Sequence, residues 1–440
     1  MSRAAIDFPS QAYRAFRDHV DGDPSSRPPA SPQLEDLLAV MAANLFLQDD
    51  DFDELEYIRE QSRRSRFSSS QLGLVIAPTM SCNFACHYCF EAHADSALDT
   101  RLEDQLASLV TKRIDGYDEL AVQWFGGEPL QDAAQLERVS ARLRGVCRDH
   151  DKGYAATVIT NGYLMEATVS AMLVEQGVHE VQITLDGDRD LHDRTRTQAD
   201  HAGSFDRIMA NIVAAPSALA INLRVHLAPF NRHSVLDLID RLGRDDVGQR
   251  IKYLYFAPLF DYHVDRGPGQ YRVDGKRFAS SAAFAALEVE ALRRAGDWGI
   301  PVKDFLDVSY GICTAVRENT LVVDSRGQLT KCYKDIGVPA EAVGTLLHGI
   351  TRAPAVDEWL DVKIPRDQEC ADCTFLPVCL GGCTKQWREG ADKSVICTPL
   401  KFNYDDRVRL YFRDPKPSTV EEPQGHLEQS SVAGLPSGRP

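Results

Sequence analysis

Six β-rich runs separated by amphipathic helical segments, between residue 72 and about residue 260, restrict this chain more than any other feature. The runs are LGLVIA (Leu72–Ala77), LAVQWF (Leu120–Phe125), AATVIT (Ala155–Thr160), EVQITL (Glu180–Leu185), AINLRVHL (Ala220–Leu227) and IKYLYFA (Ile251–Ala257). Segments such as RLEDQLASLVTKRI and SFDRIMANIVAA lie between them and are apolar on one helical face only. Strands that alternate with helices pair in parallel, which is the α/β class. Six such units are too few for an eight-fold closure, so the spacing predicts an open or partial barrel of (β/α)6, TIM-like form.

The loops that follow these strands carry the polar motifs: a cysteine triplet after the first, GGEP after the second, NG after the third and DG after the fourth. Active sites of parallel α/β folds lie at the carboxyl ends of the strands, so the motifs are expected to share one mouth.

Around this barrel the composition shifts. Residues 1–70 read as a small N-terminal unit: a turn-rich stretch (Asp21–Gln33), a helix with Leu34, Leu37, Leu38, Met41 and Leu45 on one stripe, and an acidic QDDDFDELE. The barrel is assigned to 71–277, a linking helix to 278–312, and a cysteine-rich, loop-rich unit that needs metal to fold to 313–410. The tail, 411–440, has no aromatics from Pro415 on and many prolines, and is expected to be disordered.

Charge and cysteine usage narrow the function. With 49 basic and 65 acidic residues, a net charge of −16, the chain is not expected to bind nucleic acid or an anionic membrane surface, whereas a basic peptide would be tolerated. The N-terminal MSRAAIDFPSQAYRAF has no apolar signal region and no run is apolar over the roughly eighteen residues a membrane span needs, so a cytoplasmic protein is expected. Eleven cysteines in a reducing compartment point to ligation or catalysis rather than disulfides.

Three of them form Cys82-x3-Cys86-x2-Cys89. Three thiolates on one short loop ligate three irons of a 4Fe-4S cluster and leave the fourth open to a small molecule. A zinc site or unligated core thiols are the alternatives. With Tyr88 just before the last cysteine and FGGEPL at Phe125–Leu130, the pattern resembles the radical S-adenosylmethionine (SAM) superfamily over most of residues 72–260.

That resemblance implies that SAM chelates the open iron and, given an electron, yields methionine and a 5'-deoxyadenosyl radical. It also implies a cradle. Gly126 and Gly127 would let backbone carbonyls approach the methionine ammonium, and Glu128 would order their turn. Tyr88 would border the adenine, and Asn161 in TNG would lie beneath the cofactor. Thr184 and Asp186 would sit at the ribose. Arg224 would reach the SAM carboxylate, the alternative being a surface or core-bridging arginine.

Seven further cysteines read Cys313-x13-Gly327-x4-Cys332, then Cys370-x2-Cys373-x5-Cys379-x3-Cys383, then Cys397. This spacing is similar to the SPASM domain of radical SAM enzymes that modify peptides and proteins. It implies two auxiliary 4Fe-4S clusters, one on Cys370, Cys373, Cys379 and Cys397, the other on Cys313, Cys332 and Cys383. The second set lacks one ligand, since no cysteine lies between Cys313 and Cys332; its iron is open or bound by another group. Zinc is the alternative for CADCTFLPVC. Cys147 is left as a structural thiol.

The resemblance further implies a maturase that oxidatively crosslinks or otherwise modifies a ribosomally made precursor peptide, served by a reductase or a flavodoxin or ferredoxin electron donor. Asp335 or Tyr333 would act as general base. The N-terminal unit would recognise a leader by strand addition, although it shows no clean set of strands. Two alternatives stand beside this: a maturase of folded-protein side chains, of the sulfatase or amine dehydrogenase type, and a non-catalytic iron-sulfur electron carrier. Sulfatase maturation is disfavoured because Tyr333 and Lys334 follow Cys332 where an Asp is expected, and the SAM cradle counts against a mere carrier.

Overall fold

The computed structural model describes Phe16 and residues 31–413, apart from 44–47, 49, 87, 92, 199–201, 260–279, 304–309 and 311–312. Leu45, the turn-rich stretch up to residue 30 and the tail from 414 lie outside the described residues.

The six expected strands are present as β1 (Gln71–Ile76), β2 (Glu119–Trp124), β3 (Gly153–Thr160), β4 (Val178–Leu185), β5 (Ala220–Leu227) and β6 (Tyr253–Pro258). They pair in parallel in that order. Each connection returns the chain by a helix whose apolar stripe meets the sheet. In Ala133–Asp149, for instance, Leu136, Val139, Leu143 and Cys147 recur at three- and four-residue steps and are all buried. Cys147 is thereby a core side chain. Asp132 starts that helix by accepting a hydrogen bond from the Gln135 N–H at 2.9 Å. The strands are apolar on both faces where helices cover them, as Leu74, Val75 and Ile76 show in β1.

The sheet does not stop at β1. A further strand, β7 (Thr320–Val323), pairs in parallel on the other side of β1, and β8 (Gln328–Thr330), β9 (Gly344–Thr345) and β10 (Gly349–Ile350) follow antiparallel. The order is β10-β9-β8-β7-β1-β2-β3-β4-β5-β6, a ten-stranded sheet whose first and last strands do not pair with each other among the described residues, hence an open barrel. The cysteine-rich segment assigned as a separate loop-rich unit is thus hydrogen-bonded into the barrel sheet. The short strand TLVV lies among loops and carries no periodicity of its own, so only its pairing with β1 reveals it.

Part of the N-terminal unit packs the same way. In the helix Glu54–Arg66, Ile58 joins a second core with Val316, Cys332, Trp359, Ile364 and Leu376. Arg59 and Arg66 donate to the carbonyls of Ile364 and Leu360 at 2.9 and 2.8 Å. The preceding helix, Pro32–Ala43, buries Leu34, Leu37 and Met41 in a small cluster of its own. The linking helix is Ser281–Asp297 and carries buried Glu288, to which Asn403 of the helix Leu400–Arg413 donates at 2.9 Å.

The β1–β7 junction has one close approach. A Cβ on Gly73 would lie 2.6 Å from the Thr320 Oγ1, so Gly73→Val is expected to force the two strands apart. Chemical denaturation should show a loss of about 1–3 kcal/mol, the usual cost of overpacking.

Candidate active site at the carboxyl ends of the strands

A cavity of about 480 Å³ opens where β1 to β6 end. The loop after β1 brings Cys82, Cys86 and Cys89 to it; the loop after β2 brings Gly126, Gly127 and Glu128; β3 brings Thr160 and Asn161. On the next strands, register places Thr184, Arg224 and Tyr255 in one row, and all three line the cavity. Tyr333 and Lys334, immediately after Cys332, close its far side.

Glu128 ties these loops together. Its carboxylate is buried and accepts from the Leu130 N–H at 2.9 Å, the Thr160 hydroxyl at 2.7 Å and the Asn161 N–H at 2.8 Å. Burial pushes its pKa up while these donors hold it down. The Asn161 amide in turn donates to Asn83 at 2.8 Å, within the cysteine loop.

Gly126 and Gly127 meet a constraint within the protein itself. The Gly127 N–H donates to the Thr79 carbonyl at 3.1 Å and the Glu128 N–H to that of Ser81 at 2.9 Å. A Cβ on Gly127 would fall 2.2 Å from the Ser81 oxygen, and Gly126, at φ +103°, would meet Ala77 and the Thr79 carbonyl at 2.7 Å. The bare backbone is needed for two loops to dock on each other, the cysteine loop on GGEP. That close approach excludes a side chain whether or not a cofactor is bound.

Two expectations change with the partners these side chains have. Asp186 does not line the cavity; its oxygens face the Tyr88 hydroxyl and the His226 Nδ1, the latter at 2.9 Å. Burial would raise its pKa, but His226, Arg196 and Tyr88 outweigh it and keep Asp186 ionised. His226 itself is pushed down by burial, so near neutral pH it acts as an Nδ1–H donor. Arg196 donates to Tyr88 at 2.7 Å, which makes Asp186 a positioning group for Tyr88 rather than an exposed ribose contact. Asp335 likewise is 2 % exposed and paired with Lys385 at 2.7 Å, away from the cavity, so of the two candidate bases only Tyr333 reaches it. The Tyr333 ring packs edge-on against Phe90 and Phe125, at 6.1 and 5.6 Å between centroids.

Several lining residues had no motif to announce them. Arg196 and His226 arrive from a loop and a strand far apart in sequence. Glu91 and His93 stand beside the cysteine triplet; one Glu91 oxygen is buried without a partner, and burial, with Glu128 nearby, raises this group to about 8. The Arg224 Nε is also buried without a partner at the cavity wall.

The three thiols suit iron. Burial pushes all of them up, Cys89 to about 12, so a cation must be bound to hold them as thiolates in this site. The C-terminal thiols sort into two neighbourhoods. Cys332 feels Cys313 and Cys383, while Cys370, Cys373, Cys379 and Cys397 line one small cavity. Among the described residues no group of three or more His, Cys, Asp or Glu is gathered tightly enough to hold a single metal ion.

Residues 76–242 match the Radical SAM superfamily. This segment is a radical SAM domain, and the cysteine pattern of the chain is of the SPASM type. Radical SAM proteins hold a 4Fe-4S cluster and SAM, and the cysteine loop is where this enzyme would hold them. The cysteine-type anaerobic sulfatase-maturating enzyme of Clostridium novyi (strain NT) is 22% identical over 382 residues, 77% of this chain and 95% of that protein. The serine-type enzyme of Klebsiella aerogenes is 25% identical over 69% of this chain and 76% of its own. Among solved structures, native anSMEcpe with bound AdoMet superposes with a TM-score of 0.58 at 16% identity, covering 78% of this chain and 97% of that one. Streptococcus suis SuiB bound to precursor peptide SuiA gives 0.53 at 13% identity, covering 89% and 93%. These likenesses are of fold. Among the described residues no helix is long and apolar enough to cross a membrane.

The docking of the two loops yields a test. Gly127→Ala should lower the iron bound at Cys82, Cys86 and Cys89 along with SAM affinity, because its methyl would displace the Ser81 carbonyl and the loop that carries the thiols. Iron analysis of the reconstituted variant checks this; full iron with weakened SAM binding would show that the glycine makes room for the cofactor instead.

Proposed function

We propose that this enzyme oxidatively modifies side chains of a ribosomally made precursor peptide, using three 4Fe-4S clusters. One observation carries the reading: Tyr333 and Lys334, adjoining Cys332, line the same cavity as Cys82, Cys86 and Cys89. A redox site on Cys313, Cys332 and Cys383 would therefore border the space in which a substrate radical forms. Bound there, the clusters and SAM would supply hydrogen-abstracting radical chemistry and an acceptor for the second electron of a net oxidation.

The chain's own residues do the rest. Glu128 fixes the geometry of the cysteine loop against β3. Asn161, Thr184 and Arg224 present polar groups to the cofactor side of the cavity. Phe90, Phe125 and Tyr333 form an aromatic wall on the side of Cys332, which excludes water from the radical's path. Tyr333 is 37 % exposed and stands where a substrate proton could be accepted. The net charge of −16 suits a basic peptide. The enzyme would work in the cytoplasm, where its thiols stay reduced, with a flavodoxin, ferredoxin or reductase as electron donor.

Modification of a folded-protein side chain is the second reading, favoured by the similarity to sulfatase-maturating enzymes over most of the chain. Against its sulfatase form, Tyr333 follows Cys332 and the nearest aspartate, Asp335, is engaged by Lys385.

Reduced, reconstituted protein is expected to cleave SAM to 5'-deoxyadenosine, and Cys86→Ala to abolish this. With a precursor peptide encoded beside the gene, mass spectrometry should find the loss of two hydrogens per modification; turnover of a sulfatase-derived peptide alone would favour the second reading. Wild-type protein should hold about 12 irons, and the variant with Cys82, Cys86 and Cys89 all changed to Ala about 8, as three separate clusters require. Zinc in the C-terminal sets would leave about 4 irons and then none.

A further inference from the structure

Arg366 lies between the two C-terminal thiol sets. Its stem rests on the turn that joins them: a Cβ on Gly381 would sit 2.4 Å from the Arg366 Cγ, and Gly381 lies between Cys379 of one set and Cys383 of the other. Its Nη2 donates to the hydroxyl of Thr384, next to Cys383, at 2.5 Å. Its Nε is buried and without a partner, and among the described residues no carboxylate forms an ion pair with it. Burial lowers its pKa, and the neighbours that favour its charged form are Cys313, Cys370 and Cys383, members of both sets. A second buried guanidinium, Arg66, acts on it repulsively and also has an unpartnered Nε.

A half-buried guanidinium is costly unless an anion faces it; Arg66 has the Asp361 carboxylate to favour its charge, whereas the groups that favour the charge of Arg366 are thiols. A thiolate-ligated iron-sulfur cluster is an anion, and it gains negative charge on reduction, so a fixed cation beside it favours the reduced form.

We infer that the Arg366 guanidinium is the shared counter-charge of the two auxiliary clusters and holds both at a less negative reduction potential. This rests on the cluster assignment proposed above. One substitution should then move two potentials at once, while the cluster on Cys82, Cys86 and Cys89, outside the reach of Arg366, keeps its own.

The test is a potentiometric titration of reconstituted protein followed by electron paramagnetic resonance, with iron analysis. In Arg366→Met both auxiliary midpoints should shift to more negative values with iron content unchanged, and Arg366→Lys, which keeps the charge, should restore them towards wild type. Unchanged midpoints in Arg366→Met, with both auxiliary clusters present, would overturn this inference alone. Wild-type protein holding only about 4 irons would overturn the cluster assignment with it. Should Arg366→Met fail to retain its auxiliary iron, Arg366→Lys decides: recovery of both clusters with wild-type midpoints supports the role of charge, and equal loss shows a packing role instead.

Discussion

Everything in this molecule hangs on β1 being paired in parallel on both sides, with β2 on one flank and β7 on the other. A strand hydrogen-bonded along both edges has little freedom to tilt or slide, because a one-residue slip would turn its buried side chains to the wrong face. Its carboxyl end is therefore a fixed point, and the loop carrying Cys82, Cys86 and Cys89 starts from it. The same pairing sets where β8 runs and hence where Cys332 and Tyr333 emerge. One strand thus positions both the loop of Cys82, Cys86 and Cys89 and Tyr333, next to Cys332, around a single cavity.

From that fixed point a small number of polar contacts determine the site. Glu128 spends its carboxylate on three donors of the neighbouring loops, and the backbone N–H groups of Gly127 and Glu128 hold the start of the cysteine loop. Such a buried carboxylate is stable only when its acceptor capacity is met, so the loops that meet it are locked together. A parallel network, Arg196 to Tyr88 to Asp186 to His226, pins the aromatic residue of the cysteine triplet against β4 and β5. Buried thiols with raised pKa values, and buried guanidiniums with incomplete hydrogen bonding, describe the same condition from two sides. A cation bound at the thiols and an anion facing the guanidiniums would each satisfy what the polypeptide by itself leaves unpaired.

Much of this was readable in the chain. The helices, the six parallel strands and the mouth at their carboxyl ends followed from periodicity and from where the glycines and cysteines fell, because these depend on local pattern. The division of the C-terminal thiols was implied by the resemblance to the SPASM pattern. The roles of Gly126, Gly127, Asp186 and Asp335 did not. Each turned on which atom stood opposite: the Ser81 carbonyl, the Tyr88 hydroxyl, the Lys385 ammonium. Nor could TLVV be recognised as a barrel strand, since four buried residues among loops carry no period.

By itself the sequence determined the likeness to radical SAM proteins, because the residues that carry it, Cys82, Cys86 and Cys89 and the GGEP turn, form short local motifs. Only the tertiary structure decided which groups share the cavity with them. Arg196, Arg224, His226, Tyr255 and Tyr333 are drawn from segments spread over 138 residues of chain (Arg196 to Tyr333), and no local rule relates them. Strand register and the β1–β7 pairing bring them together, through non-local hydrogen bonds whose partners are chosen by packing rather than by neighbouring residues.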